Sequence, residues 1–260
     1  MSLKLGNQDV TGVKLGTQDV TAVYKGGDEI WSAGGDGVQL ATYAQNGSTA
    51  DRSIRHHFAQ AGIGTRSSKK TFEVWFRKNS AANQGIYSCI MGDVNGYPYW
   101  GIGFNMGNPD KGNSHIQVLN MYHSDTYSWM DVTTSFTDKW NHLAVQVEGS
   151  RMIVHLNGVN KGDKSASGDL SLLAENGYQC PGGCSHRYTA FGDYFDHRVS
   201  EGWRYGTSNF AVPASPFIPD ADTIALTNRG EEFIDYSPSN LPLTVGSSLT
   251  KLAEGDTPYG

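Results

Sequence analysis

The chain has 260 residues, 32 of them glycine and 13 tyrosine, with 18% charged side chains and a net charge of −6 at pH 7. That composition favours strands and loops over helices, and the acidic balance, with no basic stripe to neutralise phosphates, argues against a nucleic-acid partner. No apolar run approaches the roughly 18 residues of a membrane-spanning helix, so no membrane insertion is expected.

The chain opens on a tandem repeat. Lys4–Val13 reads KLGNQDVTGV, Lys14–Val23 reads KLGTQDVTAV and Tyr24–Ala33 reads YKGGDEIWSA. The first two copies agree at eight of ten positions, and the third keeps the glycine, an acid and the apolar residue after it. Leu5, Val10 and Val13 alternate with polar neighbours around Gly6-Asn7, which predicts strand, turn and strand in each copy. A ribbon this small is marginal alone in water. The arm is therefore expected to pack on another copy, another protein or the main domain, through Leu5, Val10, Leu15, Val20, Ile30 and Trp31. The expected division is an arm over 1–33 and one domain over 34–260, which is long enough for a substantial core. No signal-peptide pattern precedes the repeat. Release with a virus particle on lysis would reconcile that with an extracellular-looking composition.

Downstream, short strands follow one another. Thr71–Arg77 places Phe72, Val74 and Phe76 on one face and Glu73, Trp75 and Arg77 on the other. Tyr87–Met91, Trp100–Met106 and His115–Tyr122 come next, with a turn at Asn95-Gly96. Trp140–Glu148 turns Leu143, Val145 and Val147 inward, and Arg151–Asn157 turns Met152, Val154 and Leu156 inward. His142 and His155 fall on the opposite face, as a solvated surface or a ligand face. Glu148–Arg151 is a hairpin turn, and Asn157-Gly158 is the strongest turn dipeptide in the chain. Tyr188–Gly192, Ser208–Val212 and Thr223–Thr227 complete the set. No window shows helical periodicity. The predicted fold class is all-β: an antiparallel β-sandwich or jelly roll.

The three cysteines, Cys89, Cys180 and Cys184, make no disulfide framework. Cys180 and Cys184 have three readings: free thiols in a loop, a local bridge across Pro-Gly-Gly, or two zinc ligands with His186 and His197.

Several phrases resemble the laminin G/concanavalin A-like family. They are Phe72-Glu-Val-Trp-Phe-Arg77, Trp140-Asn-His-Leu-Ala-Val-Gln-Val147 and Ile153-Val-His-Leu-Asn-Gly158. Tyr205-Gly-Thr-Ser-Asn-Phe210-Ala-Val-Pro213-Ala-Ser-Pro216 and Phe233-Ile-Asp235-Tyr-Ser-Pro-Ser-Asn240 resemble passages of such domains in bacteriophage structural proteins. The opening repeat resembles leader repeats of phage tail and fibre proteins. The match weakens over Asp193–Trp203. The resemblance implies a jelly roll with one curved face that binds sugars in lectin relatives.

Candidate ligand residues are Tyr97, Tyr99, Trp100, Tyr122, Tyr127 and Trp129. Loop aromatics stack on sugar rings, but they also bury themselves over sandwich ends or against neighbouring proteins. No cofactor is expected. Calcium has candidates only by composition, in Asp93, Asn95, Asn105 and Asp110, without the acid ladder of a calcium loop. Catalysis is not expected. Retaining glycoside hydrolysis needs two carboxylates about 5–5.5 Å apart. Glu231 and Asp235 would lie about 13 Å apart on a strand, and no nucleophile-elbow, zincin or phosphate-loop motif occurs. The expectation is a non-enzymatic bacteriophage virion protein, made in the host cytoplasm: a tail-fibre or spike component with an attachment arm and a lectin-like domain. It would be a homotrimer, since such proteins form closed symmetric oligomers. The alternatives are a capsid or tail decoration protein with mainly virion contacts, and a glycan-degrading enzyme.

Overall fold

A computed structural model describes the backbone of residues 4–5, 8–9, 13–15, 18–20, 22–25, 28–32, 38–40, 54–57, 68–78, 88–91, 98–104, 115–120, 132–133, 139–165, 178–181, 192–227, 234–245, 249–252 and 256–259. Side chains are described over 68–77, 139–163, 165, 193–227, 234–243, 251–252 and 256–259. Every regular element among these residues is a β-strand. No described helix is long and apolar enough to cross a membrane.

The chain divides into two units, Met1–Gly35 and Asp36–Gly260. In the first, each repeat is one antiparallel hairpin: Lys4–Leu5 with Gln8–Asp9, Val13–Leu15 with Gln18–Val20, and Ala22–Lys25 with Asp28–Ser32. Between the paired strands the sequence reads Gly6-Asn7, Gly16-Thr17 and Gly26-Gly27. The register sets a lysine opposite an aspartate in all three, as Lys4 with Asp9, Lys14 with Asp19 and Lys25 with Asp28. Leu5, Leu15, Val20, Ile30 and Trp31 lie on these strands, and Val10 lies outside the described residues.

The second unit holds two antiparallel sheets. One runs in the order Val132–Thr133, His115–Asn120, Pro98–Phe104, Ser88–Met91, Tyr178–Pro181, Ile54–His57, Leu243–Val245. Within it Cys89 is the register partner of Cys180. The other runs in the order Val159–Ser165, Arg151–Leu156, Asn141–Glu148, Lys69–Lys78, Gly192–Glu201, Val38–Leu40, Leu249–Lys251, and Thr223–Thr227 also pairs with Gly192–Glu201.

Alternation on this second sheet follows from sequence. Phe72, Val74, Phe76, Leu143, Val145, Val147, Met152, Val154 and Leu156 share one face and are buried. In a sandwich this apolar face is the one that meets the second sheet. Gly192–Glu201, where the family phrases fade, is a central strand flanked on both sides. Its alternation is hidden by a bulge: Phe195 pairs Trp75 but Arg198 pairs Glu73, so one residue is extra. Asp196 sits in the bulge at φ 46°. Two other expectations change. Ser208–Val212 is not a strand. Of Tyr188–Gly192 only Gly192 is described, as the first residue of the long strand.

Candidate functional site

The second face of the same sheet carries Thr71, Glu73, Trp75, Arg77, His142, Gln146, His155, Phe195, Arg198 and Ser200, by the same register. Sequence alternation assigns such a row to solvent or ligand. The structure buries it: Glu73 is 1% exposed and His142 and His155 are 0% exposed. The expectation of a solvated or ligand face at the two histidines is therefore corrected. The cover is residues 202–218, an irregular strap that crosses the sheet.

The strap is fastened along its length. Gly202 N donates to Lys69 O and Thr71 Oγ1 donates to Gly202 O, both at 2.8 Å. Trp203 Nε1 donates to Val147 O at 2.9 Å, and its ring lies 4.8 Å from Lys69 Nζ and 5.0 Å from the Arg151 guanidinium. Gln146 accepts from Tyr205 N at 2.9 Å and donates to Gly206 O at 2.5 Å. Tyr205 stacks on Phe210 at 3.7 Å with 6° between the planes. Phe210 N donates to Gly158 O at 2.8 Å. A Cβ on Gly158 would lie 2.1 Å from Phe210 O, and its φ is 74°. The Asn157-Gly158 turn is thus also the strap's landing place. Further on, Asp196 Oδ2 accepts from Phe217 N at 2.8 Å and from Tyr259 OH at 2.6 Å.

Beneath the strap, Glu73 collects three donors. Its Oε1 accepts from Arg198 Nε at 2.7 Å, and its Oε2 accepts from Tyr205 OH at 2.5 Å and His142 Nε2 at 3.2 Å. Burial, the largest influence, pushes its pKa up. The His142 hydrogen bond and the Arg198 charge outweigh burial and hold it at about 2 against an ordinary 4.5. Tyr205 is pushed well up by its own burial and by Glu73, so it stays a neutral donor. His155 Nε2 donates to Ser208 O at 3.2 Å, and burial lowers its pKa. The aromatic rings of Trp75, Tyr205, Phe210 and Phe217 surround His142 at centroid distances from 5.1 to 6.0 Å.

Asp235, half of the nearest acid pair in the sequence, is a structural ligand of backbone. It is 5% exposed and accepts from Leu226 N, Ser237 N, Ser237 Oγ and Leu241 N. It lies outside any strand, so the along-strand spacing expected for Glu231 and Asp235 does not apply. Glu231 lies outside the described residues.

The aromatic candidates divide. Tyr99 and Trp100 lie on Pro98–Phe104, where the register places Trp100 opposite Ile90 and Asn120. Tyr97, Tyr122, Tyr127 and Trp129 lie outside the described residues, as do Asp93, Asn95, Asn105, Asp110, Cys184 and His186. Among the described residues no group of three His, Cys, Asp or Glu is placed to hold a metal ion. The Glu73 cluster was missed in sequence because its members come from three separated strands and the strap. The cue was present, however: an acid, two histidines and an arginine share one face with aromatics.

A laminin G family model, described as the concanavalin A-like lectin/glucanases superfamily, matches residues 33–201. The chain belongs to this superfamily. Its lectin/glucanase-like fold is all-β and antiparallel. Among solved structures the chain is similar to a native heptameric SAP-like pentraxin from Limulus polyphemus, at 11% identity and TM-score 0.51, over 82% of this chain and 96% of that one. It is also similar to a putative carbohydrate binding protein from Bacteroides ovatus, at 10% identity and TM-score 0.50, over 85% of this chain and 60% of that one. At these identities the likeness is one of fold. No curated protein matches the chain. The superfamily match ends at Glu201, so the strap and the Asp235 knot lie beyond the matched stretch.

Proposed function

We propose that the chain is a non-enzymatic carbohydrate-recognising virion protein of a bacteriophage, a tail-fibre or spike component. Residues 1–33 anchor it to other virion proteins and to two further copies of itself, and residues 34–260 display a lectin-like domain to a host-surface glycan. The observation that carries this reading is the sealing of the polar sheet face. Glu73 is committed to Arg198, Tyr205 and His142, and Asp235 to four backbone and hydroxyl donors. Buried, fully engaged acids hold structure rather than attack a glycosidic bond, which needs two accessible carboxylates at a set separation. Recognition is then left to the aromatic candidates outside that face, with Trp100, on the strand Pro98–Phe104, and Trp129 as the stacking residues to test. Superfamily membership supports a sugar ligand, and the three hairpin repeats support the anchoring role.

A glycan array and host-cell binding assay on the full chain tests this. Binding that weakens at least tenfold in Trp100→Ala and Trp129→Ala is expected. Absence of binding at high avidity would favour the decoration-protein reading. Release of reducing sugar from host polysaccharide would refute the non-enzymatic one.

A further inference from the structure

The strap rests on two imidazoles whose hydrogen-bonding capacity is half used. His142 Nε2 faces Glu73 Oε2, an ionised carboxylate that only accepts, so Nε2 carries the proton. His155 Nε2 faces the Ser208 carbonyl, which likewise only accepts. Both Nδ1 atoms are buried without a hydrogen-bond partner among the described residues. In the neutral ring each Nδ1 is a bare lone pair. Protonation of His155 turns its Nδ1 into an N–H with no acceptor among the described residues, beside the Phe210 ring, where burying an unpaired charge is costly.

We propose that residues 202–218 form an acid-released strap: charging His155 detaches it from the sheet and uncovers the face bearing Glu73 and Trp75. The surroundings set this balance. His155 meets Phe210 and Ser208 of the strap and the neighbouring His142, which disfavours its charge. Among the described residues it has no carboxylate as hydrogen-bond or ion-pair partner. His142 meets Trp75 and Glu73 from one strand and Tyr205, Phe210 and Phe217 from the strap. Glu73 is shared with Arg198, and Arg204 Nε lies 4.0 Å away. Arg204 is paired with Asp220, and Glu73 is engaged with Arg198, Tyr205 and His142, so neither carboxylate serves His155. The His155 ring contacts Phe210, so its charge would act directly on that stretch of strap.

The sign follows from burial. The covered His155 has a lowered pKa relative to its ordinary 6.5, so the closed strap binds fewer protons than the open one. Closure is complete above about pH 6.5 and weakens as the pH falls below it, levelling off once the lowered value is passed.

Amide hydrogen exchange on the full chain, followed by mass spectrometry of peptides over 203–218 between pH 7.5 and 5, tests this. The range keeps Glu73 ionised. After correction for intrinsic rates, exchange in the strap should accelerate about tenfold or more while 141–156 stays protected. His155→Gln keeps a donor for Ser208 O but cannot charge, and should keep the strap protected at pH 5. Unchanged strap exchange in the wild type, or acceleration in that variant equal to wild type, overturns the proposal. If that variant does not fold, the wild-type imidazole titration by NMR replaces it. Its midpoint for His155 should coincide with that of strap release, and separate midpoints overturn the proposal.

Discussion

The Tyr205 hydroxyl donates to Glu73 Oε2 at 2.5 Å, across 132 positions of sequence. It fastens an irregular segment to the centre of a sheet through a single buried carboxylate. Tyr205→Phe keeps the ring and its stack on Phe210 but removes the donor. A hydrogen bond to a charged group contributes about 1.5–3 kcal/mol, and the loss should appear as that much destabilisation in urea unfolding.

Glu73→Gln should cost more. It leaves the buried Arg198 guanidinium without its anion, and breaking a buried pair from one side costs about 3–5 kcal/mol. Chemical denaturation at pH 7 would read this. An equal or greater stability in the variant would show that Arg198 finds another partner.

The same carboxylate sets an acid limit. Its folded pKa is about 2 against an ordinary 4.5, so its contribution is fully present above about 4.5 and fades as the pH falls toward 2. Wild-type stability should drop by a few kcal/mol, roughly 3, over that interval, and Glu73→Gln should lack that part of the slope. Denaturation midpoints at successive pH values would show it.

Gly158→Ala probes the strap's landing place. The new Cβ would meet Phe210 O, and the backbone is left-handed at φ 74°. Left-handed strain alone costs about 1–2 kcal/mol for a residue with Cβ. A carbonyl this close must also move, so a thermal midpoint several degrees lower and faster exchange over 206–212 are expected.

Much of the sheet was legible in sequence, and its cover was not. Phe72, Val74 and Phe76 announce a strand because period two is a local property. The same alternation assigns Glu73, Trp75, His142 and His155 to one opposite face but carries no information on whether something lies over it. The cover has no period of its own. The strap's hydrogen bonds go to scattered groups of the strands beneath it and their turn, at Gln146, Gly158 and Thr71, rather than along a ladder with one neighbouring strand, so Ser208–Val212 mimics a strand in composition without being one. Gly192–Glu201 was obscure for a different reason, since the extra residue at Asp196 shifts the alternation by one. Within the Phe233–Asn240 phrase, Asp235 and Ser237 form a turn-like knot that local alternation does not announce.

The strand Val159–Ser165 ends one side of the eight-stranded sheet. Its middle reads Asn160, Lys161, Gly162, Asp163, and Asp163 is tied to Arg151 of the neighbouring strand. A row of unpaired peptide groups invites another chain to add itself, and charges and an irregular register there discourage it; the shift between Val154 and His155 supplies the irregularity. This rim lets neighbours stand close and remain separate.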